Sequence, residues 1–283
     1  MYKKAYGIME TLAPLHVGAA AGEESGNLNL IFRDQFTQTG IIAGSSIRGR
    51  FRADMREAEK GLENTWYGHE SVEGRPDGGT TEALVKFEYA SIVWLPVYCP
   101  NQPVVWVSCP SLLKRYCRIT GKGSYDFQPY SYFGKIAKGK LFFNLGFLNL
   151  GNEDKNLKGY LPNSVVDKQQ YPLVVVDDND MPMIHDMALY RQSRVALEDS
   201  QKKAKKGAFF NLEALPESTV LAFPIAMREV KECEAVKWEN YLEDAGIQTS
   251  REFYFGGLES IGFGRTKVTV NLVEPVKQEN VKP

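Results

Sequence analysis

The chain has 283 residues, 43% of them hydrophobic and 24% charged, with a formal net charge of −1. That length supports a substantial core in one large domain or two small ones, and the near-neutral balance excludes a histone-like polycation, so contact with nucleic acid has to come from a local basic strip. None of Cys99, Cys109, Cys117 and Cys233 forms a C-x-x-C pair, which argues against a zinc ribbon or thioredoxin-type centre, and no apolar run approaches the ~20 residues of a membrane-spanning helix.

In chain order, residues 4–13 predict a strand, with Tyr6, Ile8 and Leu12 on one face and Gly7, Met9 and Thr11 on the other. Pro14 ends it and His16 follows. Residues 19–26 form a small-residue, acidic loop, and Thr37-Gln38-Thr39-Gly40 is turn chemistry. A helix is expected from Ser45-Ser46 to about residue 60, with serine as its N-cap. Arg48, Arg52 and Arg56 then fall at i, i+4 and i+8 on one face, and Ile47, Phe51 and Met55 on a neighbouring one. Residues 61–82, rich in Gly, Asp, Glu and Thr, predict a mobile surface loop.

Residues 84–97 and 104–107 are strand-like, and Pro110 opens a helix. Residues 141–150 predict one buried strand. Residues 151–180 are polar, with a short apolar run at 173–176 that suits a strand or a helix. Arg191, Arg194 and the cluster of Lys202, Lys203, Lys205 and Lys206 make a local basic stretch suited to tracking a phosphodiester chain. A strand over 219–225, a helix over 236–245 ended by Gly246 and a last strand through Val268, Val270 and Leu272 complete the chain. Residues 256–265 carry Gly256, Gly257, Gly262 and Gly264 before Arg265. Glycines expose successive backbone N–H groups to phosphate oxygens, but neither a Walker nor a dinucleotide-binding pattern is present. His69 and His185 lie in loops with no metal spacing, and no Ser/His/Asp order is visible.

Four stretches together resemble the RAMP-superfamily backbone subunits of type III CRISPR–Cas effector complexes, most of all the repeated, target-cleaving subunit of the Cmr-type complex. They are Pro14-Leu15-His16-Val17-Gly18 with Arg33-Asp34 and Gly44-Ser45-Ser46-Ile47-Arg48-Gly49; residues 90–97 with 111–115; residues 207–216; and the glycine-rich loop of 257–265. The resemblance implies an α+β fold, with an RRM-like (ferredoxin-like βαββαβ) palm, finger insertions and a protruding thumb β-hairpin. In this chain that implies a palm from 1–60 and 218–275 with parts of 84–150, insertions at 61–83 and 151–188, and a thumb at about 189–211.

It also implies copies stacked into a filament that displays CRISPR guide RNA to complementary target RNA. Other subunits of the complex complete it, in the cytoplasm and with no membrane. Ser45, Ser46, Arg48, Arg50 and Arg52 would contact the guide, Gly257, Gly262, Gly264 and Arg265 would wall the same groove, and Arg191, Arg194, Lys202 and Lys203 would serve the thumb. Family members cut target RNA with an aspartate and a divalent metal such as Mg²⁺, and here Asn29 stands nearest that position. An amide is no base near neutral pH and carries no charge for a metal. Glu23, Glu24 and Asp34 are the carboxylates in reach along the chain. His16 is the counterpart that a guide-processing nuclease of the same superfamily would use. A generic RRM-like binder would show stacking aromatics in RNP-like strands, and no such motif is present.

Overall fold

The first strand, β1 (Tyr2–Thr11), alternates between two cores. Ala5 and Met9 enter one apolar cluster and Ile8 the other, with Tyr6 packed beside it. A strand buried on both faces belongs at the centre of a sheet, and β1 is hydrogen-bonded on both edges. The computed structural model describes residues 2–18, 28–69, 81–100, 104–136, 139–144, 146–165, 171–197, 204–229 and 236–273. Glu23, Glu24, Lys202, Lys203 and Cys233, named above, lie outside these residues.

In chain order β2 (Leu28–Asn29), β3 (Ile41–Ile42), α1 (Gly44–Ala58) and α2 (Leu62–Tyr67) follow β1. Then come β4 (Val85–Phe87), β5 (Ala90–Tyr98), β6 (Val104–Ser108), α3 (Pro110–Thr120), β7 (Tyr132–Phe133), β8 (Lys140–Phe143), β9 (Gly146–Asn149) and β10 (Leu173–Val175). The chain continues through α4 (Met181–Ala188), β11 (Tyr190–Leu197), β12 (Ala204–Ala214), β13 (Val220–Arg228), α5 (Trp238–Asp244), β14 (Ser250–Tyr254) and β15 (Arg265–Leu272).

The main sheet runs β14-β15-β1-β13-β5-β6-β10-β7, and only its β6–β10 pair is parallel. The molecule is therefore α+β around a mostly antiparallel sheet. β11, β12 and β2 form a separate three-stranded sheet, and β8 with β9 a hairpin.

Both faces of the main sheet are covered. On one face Ile47, Phe51 and Met55 of α1, Trp66 and Tyr67 of α2 and Tyr241 of α5 pack on Phe223, Ile225 and Phe253. On the other, Leu113, Tyr116 and Cys117 of α3, with Leu157, Leu161 and Val165, pack on Val93, Trp94, Val220 and Ala222. Two buried indoles lie under this second layer: Trp94 Nε1 donates to Tyr160 O of that layer at 3.1 Å, and Trp106 Nε1 donates to Ser218 O, in the turn before β13, at 3.2 Å. Cys99, Cys109 and Cys117 are free thiols, and burial pushes Cys109 up to about 12.

The structure corrects several expectations. Residues 62–67 are helical rather than loop, because Trp66 and Tyr67 are buried against α5, with Trp66 Nε1 donating to Asp244 Oδ2 at 2.7 Å. Residues 141–150 are not one buried strand. The chain reverses before Gly146 (φ 141°), and Phe142 and Phe147 face solvent. The run at 84–97 breaks into β4 and β5, and the apolar run at 173–176 resolves as β10. His185 lies in α4, not in a loop.

Candidate nucleic-acid interface

Helix α1 starts two to three residues earlier than its serines suggest. Ala43 is the N-cap, with no side-chain cap, and its carbonyl accepts from Ser46 N at 3.0 Å and Ile47 N at 3.2 Å. Gly44 sets the start, because a Cβ there would lie 2.6 Å from Phe87 O. Ser45 is exposed within the first turn and Ser46 half-buried.

The arginines of α1 do not form one solvent stripe. Arg48 turns inward, donating to Tyr67 O at 2.6 Å, with its guanidinium 5.9 Å from the Tyr67 ring centre. Arg50 pairs with Asp54 at 2.6 Å and approaches Glu259 at 3.8 Å, while Arg251 reaches the other Asp54 oxygen at 3.3 Å. Arg52 and Arg56 have no ion pair or hydrogen bond among the described residues, and the buried Nε atoms of Arg50 and Arg52 find no acceptor there. Among the described residues, the positive charge of α1 that has no partner is therefore that of Arg52 and Arg56.

Glu259 belongs to the loop of residues 256–265, so the Arg50–Glu259 contact joins that loop to α1. The loop is not an open cradle of amides. The N–H groups of Gly257, Ile261, Gly262, Phe263 and Gly264 all donate to carbonyls of the chain. Its glycines serve close packing instead. At Gly256 (φ 79°) a Cβ would sit 2.0 Å from His16 O, the carbonyl that also receives Gly257 N at 3.1 Å. Gly257 and Gly262 are exposed, Gly264 is buried, and Arg265 is exposed with a long 3.9 Å approach to Glu252.

The far side of the loop rests on the β11–β12 hairpin. Phe263 is buried against Leu212 and Ala214, 5.9 Å from the Tyr190 ring in an edge-on arrangement, with the Arg194 guanidinium 5.4 Å from its centre. The structure therefore brings α1, the glycine-rich loop and the base of the hairpin into one neighbourhood.

An ion-pair cluster anchors that base. Glu213, with a side chain 4% exposed, accepts from Arg33 Nη2 at 3.0 Å and from Arg191 at 3.1 Å and 3.3 Å. Asp186 accepts from the same two arginines at 3.1 Å and 2.8 Å. Burial pulls the Asp186 pKa up, but hydrogen bonds from Arg191 and Arg33 outweigh it and hold the carboxyl below the usual range. Arg191 is thereby a structural strut as well as a charge on the hairpin.

Next to Asp186, His185 is fully buried. Its Nε2 accepts from Gly40 N at 2.9 Å, so Nδ1 carries the proton, without a partner among the described residues. Burial, followed by the neighbouring Arg33 charge, pushes its pKa down to about 3. Glu213 and Asp186 were given no role from sequence, and His185 was placed in a loop with no role. The one available signal was an acidic residue inside the matched 207–216 stretch.

His16 and Asn29 attach to neighbouring residues of β12. The His16 Nδ1 lies 2.6 Å from Glu213 O, which makes Nδ1 the donor and leaves Nε2 as the acceptor nitrogen. Asn29, half-buried, is in register with Leu212 in a parallel pair. Asp34 is spent on its own turn, where Oδ1 accepts from Phe36 N, Thr37 N and Thr37 Oγ1 at 3.0, 2.8 and 3.1 Å. No group of three or more His, Cys, Asp or Glu side chains among the described residues is arranged to hold a metal ion. The divalent-metal chemistry implied by the resemblance has no donor set among the described residues. No helix among them is long and apolar enough to cross a membrane.

A mostly antiparallel sheet covered on both faces, with an arginine-bearing helix touching a glycine-rich loop and that loop touching a basic hairpin, defines the α+β scaffold. The chain belongs to the RAMP superfamily, whose profile matches residues 8–267. Among solved structures it is similar to a chain of the type III-B Cmr-beta complex in its apo state (18% identity, TM-score 0.70, 96% of this chain and 98% of that one). A chain of the Cmr-beta complex bound to cognate target RNA gives 18% identity and a TM-score of 0.72, covering 95% and 97%. Oligomeric Cmr4 from Pyrococcus furiosus gives 18% and 0.66, covering 96% and 99%. A comparison with curated proteins finds no match.

Proposed function

We propose that this chain is a guide-RNA-binding backbone subunit of a type III CRISPR interference complex, stacking with further copies of itself and other subunits to display guide RNA to target RNA in the cytoplasm. The observation that carries the reading is the contact of α1 with the 256–265 loop through Arg50 and Glu259, and of that loop with the β11–β12 hairpin through Phe263, on a helix whose Arg52 and Arg56 have no partner among the described residues. The similarity to chains of Cmr complexes, one of them bound to target RNA, and to an oligomeric Cmr4 supports it.

The order β15-β1-β13-β5, with α1 following β1 and α5 lying between β13 and β15, supports reading these elements as the ferredoxin-like palm. β11 and β12 then form the thumb, and the segments at 61–83 and 151–188 the insertions. Contacts of this kind go to phosphates and sugar, so base pairing supplies specificity.

With an amide at Asn29, the role proposed is retention and display of RNA rather than its cleavage. Arg52 and Arg56 are the residues to test, since replacing Arg48 would also remove the Tyr67 contact. Filter binding of a single-stranded guide across salt concentrations should show weaker retention by Arg52→Ala, with the salt slope reduced by about 0.7. An unchanged slope in both Arg52→Ala and Arg56→Ala rejects this groove.

A further inference from the structure

The β8–β9 hairpin has two unlike faces. Leu141 and Phe143 are buried in the core, while Lys140, Phe142, Asn144, Phe147 and Asn149 are exposed. The register sets Phe142 opposite Phe147 and Lys140 opposite Asn149. The two phenyl centroids are 4.9 Å apart with planes inclined by 54°. Phe147 is 75% exposed and Phe142 39%.

A single exposed aromatic is ordinary, but two aromatics paired across strands on an otherwise polar face leave a contiguous apolar surface in water. The hairpin is also fastened to the scaffold, since the Cys99 thiol donates to Phe142 O at 3.4 Å. Tyr98, next in sequence to that contact, is 64% exposed. The charge along this stretch of the chain is one-sided. From residue 127 to residue 152 the sequence has no Asp or Glu and carries Lys135, Lys138 and Lys140. In a chain of net charge −1, this local surplus is complementary to a polyanion.

We propose that the solvent face of this hairpin is a stacking platform for unpaired bases of single-stranded RNA, with Phe142 and Phe147 receiving the bases and Lys140 a phosphate. Ring faces beside an ammonium group and side-chain amides are the combination that binds single strands without reading sequence. None of the contacts given above for α1, the 256–265 loop and the β11–β12 hairpin includes Phe142 or Phe147, and the inference rests on the RNA-binding reading given above.

The test uses the full chain and a single-stranded RNA oligonucleotide carrying 2-aminopurine, whose fluorescence reports stacking. Phe147→Ala should weaken binding about tenfold and relieve the quench, and Phe147→Trp should retain both. Lys140→Gln should lower the salt slope by about 0.7. If the parent chain binds RNA and Phe147→Ala matches it in affinity and quench, the platform is wrong and the broader reading stands. If the parent chain binds no RNA, that reading falls with it. If Phe147→Ala reduces oligomer mass by native mass spectrometry while affinity per copy is unchanged, the face joins protein copies and the RNA platform is overturned.

Discussion

His185 makes the stability of the hairpin base depend on acid. An unfolded histidine titrates near 6.5, whereas the buried ring is held down to about 3. At pH 7 both states are neutral. As pH falls through 6.5 the unfolded chain takes up a proton that the folded chain refuses, so stability present above 6.5 is progressively lost on the way to 3. Between pH 7 and pH 5 the loss is about 2 kcal/mol, from the roughly 1.4 kcal/mol per pH unit that one such proton carries. The unfolded value fixes that figure, so it holds for any folded value well below 5.

The structural cause is plain. A proton on Nε2 would remove the acceptor of Gly40 N and place a cation beside Arg33 and Arg191. His185→Gln keeps an acceptor for Gly40 but does not titrate. Thermal unfolding of both proteins at pH 7 and pH 5 should show a Tm drop about 3–4 °C larger in the parent chain. Because the other titrating groups are shared, their contribution cancels in the difference. An equal drop in the two proteins would refute the reasoning.

Two further outcomes follow from the same neighbourhood. Glu213→Ala leaves Arg33 and Arg191 with Asp186 alone, and should destabilise the chain by about 2 kcal/mol, below the range for fully buried pairs because both arginines keep some water. Chemical denaturation measures it, a cycle with Arg33→Ala should be non-additive, and a loss under about 0.5 kcal/mol would contradict the assigned role. Asn29→Asp restores the carboxylate that the family resemblance expects. In an assembled complex with magnesium and complementary RNA, cleavage should appear in that variant and not in the parent chain, and cleavage by the parent that Asp34→Ala abolishes would move the site.

Local signals marked the elements whose causes are local. Alternation across Tyr6, Ile8 and Met9 marked β1, Pro110 marked the start of α3, and Gly246 (φ 66°) the end of α5. The elements missed owe their existence to distant partners. α2 is helical because Trp66 and Tyr67 find α5 some 175 residues later, as in the Tyr67–Tyr241 hydroxyl contact at 3.1 Å. The short helix α4 has too few turns for a period to show, and its role depends on Gly40, Arg33 and Arg191.

The site divides in the same way. Arginines at helical spacing are visible in sequence, but the carboxylates that neutralise them are not. Arg50 meets Asp54 locally and Glu259 across the fold, and Arg48 is drawn to a backbone carbonyl. Counting charges along α1 therefore overstated the cation presented to solvent. The glycines of 256–265 were read as exposing amides, when two of them make room for the carbonyls of His16 and Phe255.

The second layer over the main sheet, built by α3 and the segment around residues 155–165, changes how a mutational scan of this molecule should be interpreted. In an open RRM, aromatics on the sheet surface are the ligand contacts, and losing one weakens affinity in a protein that still folds. In this chain the sheet face covered by α3 holds Trp94 and Trp106, each bonded to a backbone carbonyl. Truncating either indole should register first as lost expression and lowered Tm, and affinity measured on the surviving fraction should barely move. On the proposed reading, binding phenotypes fall to α1, the 256–265 loop and the appended hairpins, so the body of the sheet supplies an internal set of stability controls.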